Sequence, residues 1–366
     1  MRPLTAFINT RYLRHNYRWL KAQHKGPLLA VIKSNAYGHG MIPCARALAD
    51  IADGFAVMHL EEARLLRAEG IHLPILLLEG VLSKTELLLV AKQNLWLSVQ
   101  SSEQINTLLS AHLPTALQIW LKMDTGLCRG GILPAHYAQA YKQLAHHQNV
   151  QQIVYMTHFA CADDLHHPMT NLQIAQFDQA CSSLPKNPVS SAASSAILGH
   201  PNTHRGWGRA GLALYGISPL IQDVPHALKP VMTFSTHLFD IHDVPAGQYI
   251  GYGATYQTIR PSKIGLITCG YGDGYPRLVS SGIPVRLHHT NCPIVGRPSM
   301  NLITIDLTNV LSPKIGTSVE LWGNHISVNT IAQAAGTSAY EVFCHVKPNR
   351  LVYPTLGKDT ASNSIS

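Results

Sequence analysis

The stretch of the sequence most suggestive of chemistry is AVIKSNAYGHG, residues 30–40, in which an apolar run stops at Lys33. A lysine at the end of a strand most often extends its ammonium group into water. It acts as a nucleophile only when burial or nearby cations lower the pKa of a lysine amine from its usual value of about 10.4. Lys33 alone therefore predicts little, and its interpretation depends on the residues that end the other apolar runs.

Further candidate residues lie beside the apolar runs: most of them follow a run, whereas Arg209 stands just before the last one, which begins with Gly211 and Leu212. These candidates are Tyr37, Lys122, Arg129, His158, Ser195, Arg209, Gly211 and Leu212. Since chemistry in a barrel of parallel strands is located where the strands end, we expect these residues to surround one rim. A serine hydroxyl and glycine N–H groups near the last two runs are typical of the phosphate site of such a barrel. A phosphate-bearing cofactor beside a deprotonated lysine favours pyridoxal phosphate bound as a Schiff base.

The elements that must position these residues are eight short apolar runs rich in valine, isoleucine and leucine. They span residues 27–33, 54–59, 74–79, 94–99, 115–122, 151–158, 188–193 and 211–216. Segments with helical spacing lie between most of them, as in residues 59–70, where Gly70 is a candidate C-cap. This alternation predicts an α/β fold, a (β/α)8 TIM-type barrel over residues 9–228. A doubly wound open sheet is the alternative, which the lack of a GxGxxG motif after the first run disfavours.

The sequence pattern changes after residue 228. Strand-like pieces interrupted by glycine, proline and aspartate replace the helical periodicity, which returns only near IAQAAG, residues 331–336. We therefore predict a separate, mostly β domain over residues 229–366, joined by residues 1–8. The polar C-terminal segment KDTASNSIS, residues 358–366, is predicted to be disordered.

The composition argues against several classes of protein. The net charge of +8 comes from basic residues that are scattered along the 366-residue chain, which does not indicate nucleic-acid binding. The seven cysteines form no CxxC pair and the 21 histidines no HExxH, so neither a metal site nor a disulfide framework is predicted. The N-terminus lacks the apolar segment of a signal peptide, and no apolar run approaches the ~20 residues of a membrane helix. We expect a soluble cytoplasmic protein.

Seven motifs, in their order along the chain, resemble those of the alanine racemases, which are pyridoxal-phosphate enzymes of fold type III. The motifs are AVIKSNAYGHG, LKMDTGLCRGG, THFACADD, GRAGLALYGISP, GYGATY, GYGDGYPR and GRPSMN, and the resemblance extends over residues 8–346. It implies an isomerase that interconverts L-alanine and D-alanine by proton exchange with two bases, and so supplies D-alanine for peptidoglycan. It also implies a homodimer in which the two chains share their active sites.

The resemblance assigns the two bases to different domains. Lys33 would attach the cofactor and then act as the base on one of its faces, and Tyr252 of GYGATY would act on the opposite face. From the residues alone, Tyr252 would be interpreted as an aromatic residue packed in a strand. His158 and Arg209 are implied to belong to the network around Tyr252. Arg209 is also implied to face the pyridine nitrogen, where an arginine that stays protonated disfavours a second positive charge.

The remaining implied roles concern the rest of the cofactor and the substrate. Arg129 would contact the phenolic oxygen of the cofactor and the substrate carboxylate, and Lys122 matches a lysine that is often carbamylated in the family, which would become an anion able to pair with Arg129. The phosphate contacts would be Tyr37, Ser195, Gly211 and Leu212. The substrate carboxylate would lie beside Met300, and an access corridor would contain Tyr271, Arg277 and Arg297.

The sequence departs from the family pattern at three positions. Asn301 replaces a common aspartate, Ser194 replaces a common asparagine, and Pro348 stands where some relatives have a tyrosine of the corridor. The sequence therefore does not determine the width of the corridor. It also leaves a second interpretation, a racemase that acts on serine or on a broader range of amino acids. A decarboxylase of this fold would carry an acidic residue at the position of Arg209, and a non-catalytic pyridoxal-phosphate carrier would not need GYGATY.

Overall fold

The computed structural model describes residues 3–354, and the chain divides into two compact units. One unit runs from Tyr12 to Lys229, and the other joins the N-terminal residues through Arg11 with the chain from Pro230 onward. The C-terminal segment predicted to be disordered lies outside the described residues. Strand β1 (Thr5–Ile8) is the first element of the chain and belongs to the second unit.

The first unit is built around eight parallel strands. They are β2 (Leu28–Val31), β3 (Gly54–Val57), β4 (Ile75–Leu77), β5 (Trp96–Val99), β6 (Leu117–Lys122), β7 (Val150–Met156), β8 (Val189–Ser190) and β9 (Gly208–Ala210). Neighbours pair in the order β8-β7-β6-β5-β4-β3-β2-β9, and a parallel bridge between Ala193 and Arg209 connects the two ends of this path. The sheet is therefore a nearly closed barrel, and the predicted (β/α)8 fold is confirmed.

Helices and short helical turns alternate with these strands along the chain. They are α1 (Thr10–His24), α2 (Lys33–Tyr37), α3 (Met41–Leu48), α4 (Leu60–Ala68), α5 (Lys84–Lys92), α6 (Ser102–Leu109), α7 (Pro134–Leu144), α8 (Met169–Cys181) and α9 (Ser194–Gly199). Local sequence explains their limits: the Ser83 side chain accepts a hydrogen bond from Glu86 N before α5, and Gly70 has a φ of 77° after α4. Strands β2 and β3 are buried throughout, because a barrel strand is covered on both faces.

The prediction that residues 211–216 form the eighth strand is wrong. The strand is β9, three residues earlier, and Leu212–Tyr215 form a 3-10 turn. Gly211 leaves the extended conformation with a φ of −105° and a ψ of −109°, and Gly216 ends the turn in the left-handed region. The four residues of the turn are all buried, so their hydrophobicity reports burial and not strand geometry. Arg209 consequently lies within the last barrel strand and not before it.

The second unit is mostly antiparallel sheet. Its further elements are β10 (Met232–Val244), β11 (Tyr249–Ile250), β12 (Tyr256–Gln257), β13 (Ser262–Ile267), β14 (Pro284–Leu287), β15 (Thr290–Pro293), β16 (Ile303–Asp306), β17 (Ser318–Trp322), α10 (Val328–Ala334), α11 (Ala339–Cys344) and β18 (Leu351–Val352). The long strand β10 pairs with β1, β13 and β17. The core of this unit contains a cluster of aromatic rings around Trp322. The centroid of the Trp322 ring lies 4.5 Å from that of Phe234 and 6.0 Å from that of Tyr275. Strand β1 lies between β10 and β18 and pairs with both, which brings the N-terminal residues into this unit.

The helices in residues 3–354 include none that is both long and apolar enough to span a lipid bilayer.

Candidate active site

The barrel rim carries a cluster of basic side chains around His158. The pKa of His158 is lowered to about 3. The largest cause is burial, which removes the ring from water, and the positive charges of Arg209, Arg129, Lys122 and Lys33 lower the pKa further. These five predicted residues come from the ends of β2, β6, β7 and β9 and from the loop after β6, and the structure brings them into one electrostatic cluster. The imidazole of His158 is therefore neutral at pH 7.

Arg209 is the most buried charge of the cluster, with 5% of its surface exposed. Its guanidinium donates to Ser190 O at 2.9 Å, to Thr157 O at 2.8 Å and to His158 Nδ1 at 3.3 Å. Burial lowers the pKa of Arg209 to about 10, so the group still carries its charge at neutral pH. Because Nδ1 of the neutral His158 accepts from Arg209, the ring proton lies on Nε2, which is left to act as a donor.

Lys122 connects the end of β6 to the loop that carries Arg129. Its amine donates to Gln100 Oε1 at 3.0 Å and to Arg129 O at 3.1 Å. Lost hydration, followed by the charges of Arg129 and Arg209, lowers the pKa of Lys122 to about 8. A minor but significant fraction of this amine is therefore unprotonated near neutral pH.

Gln100 is not among the site residues predicted from the sequence, although it follows β5 directly. Its Nε2 donates to Glu79 O at 2.8 Å, which directs its Oε1 towards Lys122. A Cβ at Gly130 would lie 3.0 Å from the same Oε1, so the loop after β6 packs closely on this amide. The signal that could have found Gln100 is the one used for the other residues, a polar side chain at the end of a barrel strand.

Lys33 begins a short helical turn of unusual hand. Ser34, Asn35, Ala36 and Tyr37 have φ values of 52°, 54°, 54° and 51°, which are left-handed. For residues other than glycine this conformation costs about 1–2 kcal/mol each. Hydrogen bonds from Ala36 N to Ile32 O (2.9 Å) and from Gly38 N to Ser34 O (3.1 Å) close the turn. The sequence predicts a turn after Lys33 but not its hand, because none of the four residues is a glycine.

The left-handed turn delivers Tyr37 to the N-terminal side of the 3-10 turn at Leu212. A Cβ at Gly211 would lie 2.9 Å from the Tyr37 hydroxyl, so only glycine leaves this space open. Ser194 Oγ accepts from Gly211 N at 2.8 Å and from Ala213 N at 3.3 Å. The structure thus brings together Tyr37, Gly211 and Leu212 of the predicted phosphate group. Ser194, which follows the seventh apolar run together with Ser195 and departs from the family pattern, is the hydrogen-bond acceptor for these two backbone N–H groups.

Ser195, the serine predicted to contact a phosphate, lies next to Ser194 in the first turn of α9 and is half-buried. Both serines therefore stand at the same end of the barrel as Gly211.

The second unit carries the remaining predicted residues in two groups. Tyr252 lies in a 3-10 turn (Tyr252–Ala254) between β11 and β12 and is 70% exposed. Gly251 and Gly253 on either side have φ values of 75° and 77°. A Cβ at Gly253 would lie 3.4 Å from Nη1 of the exposed Arg297. Arg297 therefore lies beside the turn that carries Tyr252.

The other group consists of Tyr271, Arg277 and Met300. Tyr271 N donates to Ser299 O at 3.1 Å and Gly272 N to Met300 O at 2.8 Å, so these two segments run side by side. Tyr271 and Arg277 line a cavity of about 530 Å³. Tyr271 and Met300 are 40% and 57% exposed.

Asn301 is tied to a buried carboxylate next to this group. Its Nδ2 lies 3.4 Å from Asp273 Oδ2, and Arg350 Nη2 lies 3.4 Å from the other oxygen. Asp273 is 3% exposed. The amide at position 301 can donate to Asp273, which an ionised aspartate could not do. The side chain of Pro348 lies outside the described part of the structure.

The barrel, its cationic rim and the separate β unit define a two-domain barrel enzyme. Residues 8–219 match the family described as "Alanine racemase, N-terminal domain", and residues 231–352 match the family described as "Alanine racemase, C-terminal domain". The chain belongs to the alanine racemase family, and the resemblance inferred from the seven motifs is confirmed.

Individual relatives match nearly the whole chain. The alanine racemase of Aromatoleum aromaticum is 47% identical over 353 residues, which cover 96% of this chain and 99% of that protein. The biosynthetic alanine racemase of Pseudomonas aeruginosa superposes with a TM-score of 0.93 at 39% identity, covering 97% of this chain and all of the other. The alanine racemase of Bartonella henselae, solved with covalently bound pyridoxal phosphate, has a TM-score of 0.87 at 28% identity, with coverages of 96% and 99%.

Proposed function

We propose that this chain is a pyridoxal-phosphate-dependent isomerase that interconverts L-alanine and D-alanine by moving the α-proton between two bases. The observation that carries the proposal is the barrel rim, where Lys33 shares one cationic cluster with a charged, buried Arg209 and a neutral His158. Such a cluster suits anionic ligands, because positive charge in a cleft of low polarity attracts them strongly. A phosphorylated cofactor and an amino-acid carboxylate are both anionic.

The residues at the rim fit pyridoxal phosphate. The space that a Cβ at Gly211 would fill lies 2.9 Å from the Tyr37 hydroxyl and 3.7 Å from that of Ser194. We assign the phosphate to Tyr37, Ser195, Gly211 and Leu212, and add Ser194 as the residue that orients the N–H groups of Gly211 and Ala213. When bound, the cofactor would stabilise the negative charge that forms at the α-carbon after its proton is removed.

Arg209 and Arg129 are proposed to hold the ring of the cofactor. Arg209 stays protonated, so it would donate a hydrogen bond to the ring nitrogen and disfavour a proton there. Its orientation is fixed by Ser190 O and Thr157 O, which leaves it little freedom to turn away. Arg129 is assigned to the phenolic oxygen and to the substrate carboxylate, which Met300 would also contact.

Lys33 and Tyr252 are the proposed bases. Lys33 Nζ would exchange the α-proton on one face of the substrate and Tyr252 Oη on the other. Arg297, next to Gly253, adds a positive charge beside the turn that carries Tyr252. We propose a homodimer in which Tyr252 of one chain serves Lys33 of its partner, since a two-fold arrangement would form both sites at once.

Three further assignments complete the proposal. Tyr271, Arg277 and Arg297 would form the access corridor, consistent with the cavity that the first two line. Lys122 is a candidate for carbamylation, because carbon dioxide reacts with an unprotonated amine and burial lowers the pKa of Lys122 to about 8. The enzyme would act in the cytoplasm and supply D-alanine for peptidoglycan.

The proposal is tested by incubating the cofactor-loaded protein with L-alanine in D2O. We expect D-alanine to form and deuterium to appear at the α-carbon, because the proton removed exchanges with solvent before its return. Chiral chromatography with mass spectrometry reads both changes. If L-alanine is neither converted nor labelled, the proposal that alanine is the substrate is wrong. A parallel incubation with L-serine measures the breadth of the substrate range.

A further inference from the structure

The left-handed turn after Lys33 is held by a carboxylate from a neighbouring element. Ser34 N donates to Glu62 Oε1 at 2.6 Å. The other oxygen of Glu62 accepts from Met58 N at 2.8 Å and from His59 N at 3.3 Å. Three backbone N–H groups from two segments therefore converge on one side chain. Hydrogen bonds to an ionised acceptor are stronger than those between neutral groups.

Glu62 is well placed to act as a fixed anchor. It lies in the first turn of α4, and its contact with His59 N forms one half of a capping box at the start of that helix. Its orientation is therefore set by α4 itself, whether or not the left-handed turn is formed. Through its hydrogen bond with Ser34 N, the carboxylate also fixes the position of the loop after β2.

The bond to Ser34 N acts directly on the backbone of Lys33. This N–H belongs to the peptide group that joins Lys33 to Ser34, so Glu62 fixes how that peptide is oriented. The far end of the turn has its own anchors: Met41 N donates to Asn35 Oδ1 at 2.9 Å and Gly40 N to Asn35 O at 2.9 Å. Glu62 secures the end that carries the amine. Four consecutive residues with positive φ need such support.

We propose that Glu62 is a positioning residue, whose carboxylate holds the left-handed turn and thereby directs Lys33 towards the cofactor. This inference rests on the proposed role of Lys33 in cofactor attachment. The part that concerns the turn does not, since it follows from the contacts of Glu62 alone.

The test compares Glu62→Gln with Glu61→Gln in the cofactor-loaded enzyme. Glu61 precedes Glu62 in the same helical turn and is exposed, so its variant removes the same charge without a contact to Ser34. A glutamine at 62 presents an N–H2 group to at least one of the three donors. We expect amide hydrogen exchange in residues 33–40 to accelerate about tenfold or more in Glu62→Gln, and kcat for alanine to fall by about 10–100-fold with little change in KM. Glu61→Gln should match the wild type in both.

A second change tests whether strain in the turn is the cause. Glycine adopts a φ near 52° without strain, so Ser34→Gly combined with Glu62→Gln should recover part of the lost kcat. If Glu62→Gln does not fold, Glu62→Asp keeps the charge on a shorter side chain, and we expect it to show the same two changes to a smaller degree.

Two results would overturn the inference: exchange in residues 33–40 that is equal in the two glutamine variants, or a fall in kcat without faster exchange. Failure of the proposed function looks different. In that case the wild type itself does not bind pyridoxal phosphate through Lys33, as reduction with borohydride and peptide mass analysis would reveal, while the exchange difference between the variants persists.

Discussion

The residues proposed to act in the barrel differ sharply in environment from those in the β unit. On the barrel rim, Arg209 is almost fully buried, and its guanidinium donates to two backbone carbonyls, to the Ser190 hydroxyl and to His158. In the β unit, Tyr252 and Met300 have 70% and 57% of their surfaces exposed. The barrel residues are organised by their own unit, whereas the exposed aromatic and methionine side chains are of the type that interfaces bury. The proposed barrel residues are thus held in place by neighbours within one unit, whereas Tyr252 and Met300 are exposed on theirs.

The largest effect is expected at Lys33. Replacement by alanine removes both the point of cofactor attachment and one base, so alanine racemisation should fall by about 10⁴-fold or more. Borohydride should no longer fix pyridoxal phosphate to the protein. The control is Lys84→Ala, an exposed lysine at the start of α5. If Lys33→Ala were as active as the control, the proposal that the barrel rim takes part in the reaction would be wrong.

The next largest effect is expected at Tyr252, and it should depend on direction. Tyr252→Phe removes one base, which typically contributes about 10²–10⁴-fold. α-Proton exchange in D2O should slow by that amount from one enantiomer of alanine and much less from the other. Stability should not change, because the side chain is exposed. Tyr249→Phe is the matched control, since Tyr249 is 62% exposed and lies in the adjoining strand β11. Equal slowing from both enantiomers would contradict the assignment of Tyr252 to one face.

A smaller effect concerns the pH dependence of stability through Lys122. Its pKa of about 8 in the folded chain lies below the ordinary value of 10.5. Between these two values the unfolded chain binds more protons, so the stability contributed through Lys122 rises with pH across that window. The free energy of unfolding of the wild type, relative to Lys122→Met, should increase by at most about 1.4 kcal/mol per pH unit. Urea titrations at several pH values measure it.

Carbamylation would change that result in a recognisable way. A carbamate does not titrate as an amine, so the difference between wild type and Lys122→Met would lose its rise between pH 8 and 10.5. In that case ¹³C-labelled bicarbonate should give a carbamate signal that Lys122→Met lacks. A flat difference without such a signal would contradict the lowered pKa of Lys122 itself.

The smallest effect is expected at Asn301 in the β unit. Asn301→Asp would place a second carboxylate against Asp273, which Asn301 now contacts at 3.4 Å. Repulsion between like charges should lower the free energy of unfolding by about 1 kcal/mol at pH 8, as urea titration of the variant and the wild type measures. Asn324→Asp, at an exposed position, is the control. A loss of the same size in both variants would show that the contact with Asp273 contributes nothing.

The barrel was predictable because buried parallel strands give continuous apolar runs, and seven of the eight runs coincide with strands β2 to β8. The eighth run failed because Leu212–Tyr215 is as buried as a strand but is wound as a 3-10 turn. Burial and backbone geometry are separate properties, and an apolar run reports only the first.

The rim residues could be selected by type and by position at strand ends, which is how Lys33, His158 and Arg209 were found. Gln100 also follows a strand and could have been selected in the same way, but Glu62 could not, because its importance comes from a contact with Ser34, which lies 28 residues away along the chain. No periodicity encodes such contacts. In the β unit only the resemblance pointed to Tyr252, since an exposed tyrosine in a short turn carries no signal of its own.

The pairing of β1 with β10 has a consequence for synthesis of the chain on the ribosome. Thr5 and Ser235 are partners in this ladder although 230 residues separate them. At elongation rates of about 5–20 residues per second, the first strand emerges roughly 10–50 s before its partner. During that interval the barrel sequence can be completed while β1 waits with an unpaired edge. Strand β1 is thus among the last parts of the chain to reach its native neighbours, and a bulky group attached next to it would act at this late step of assembly.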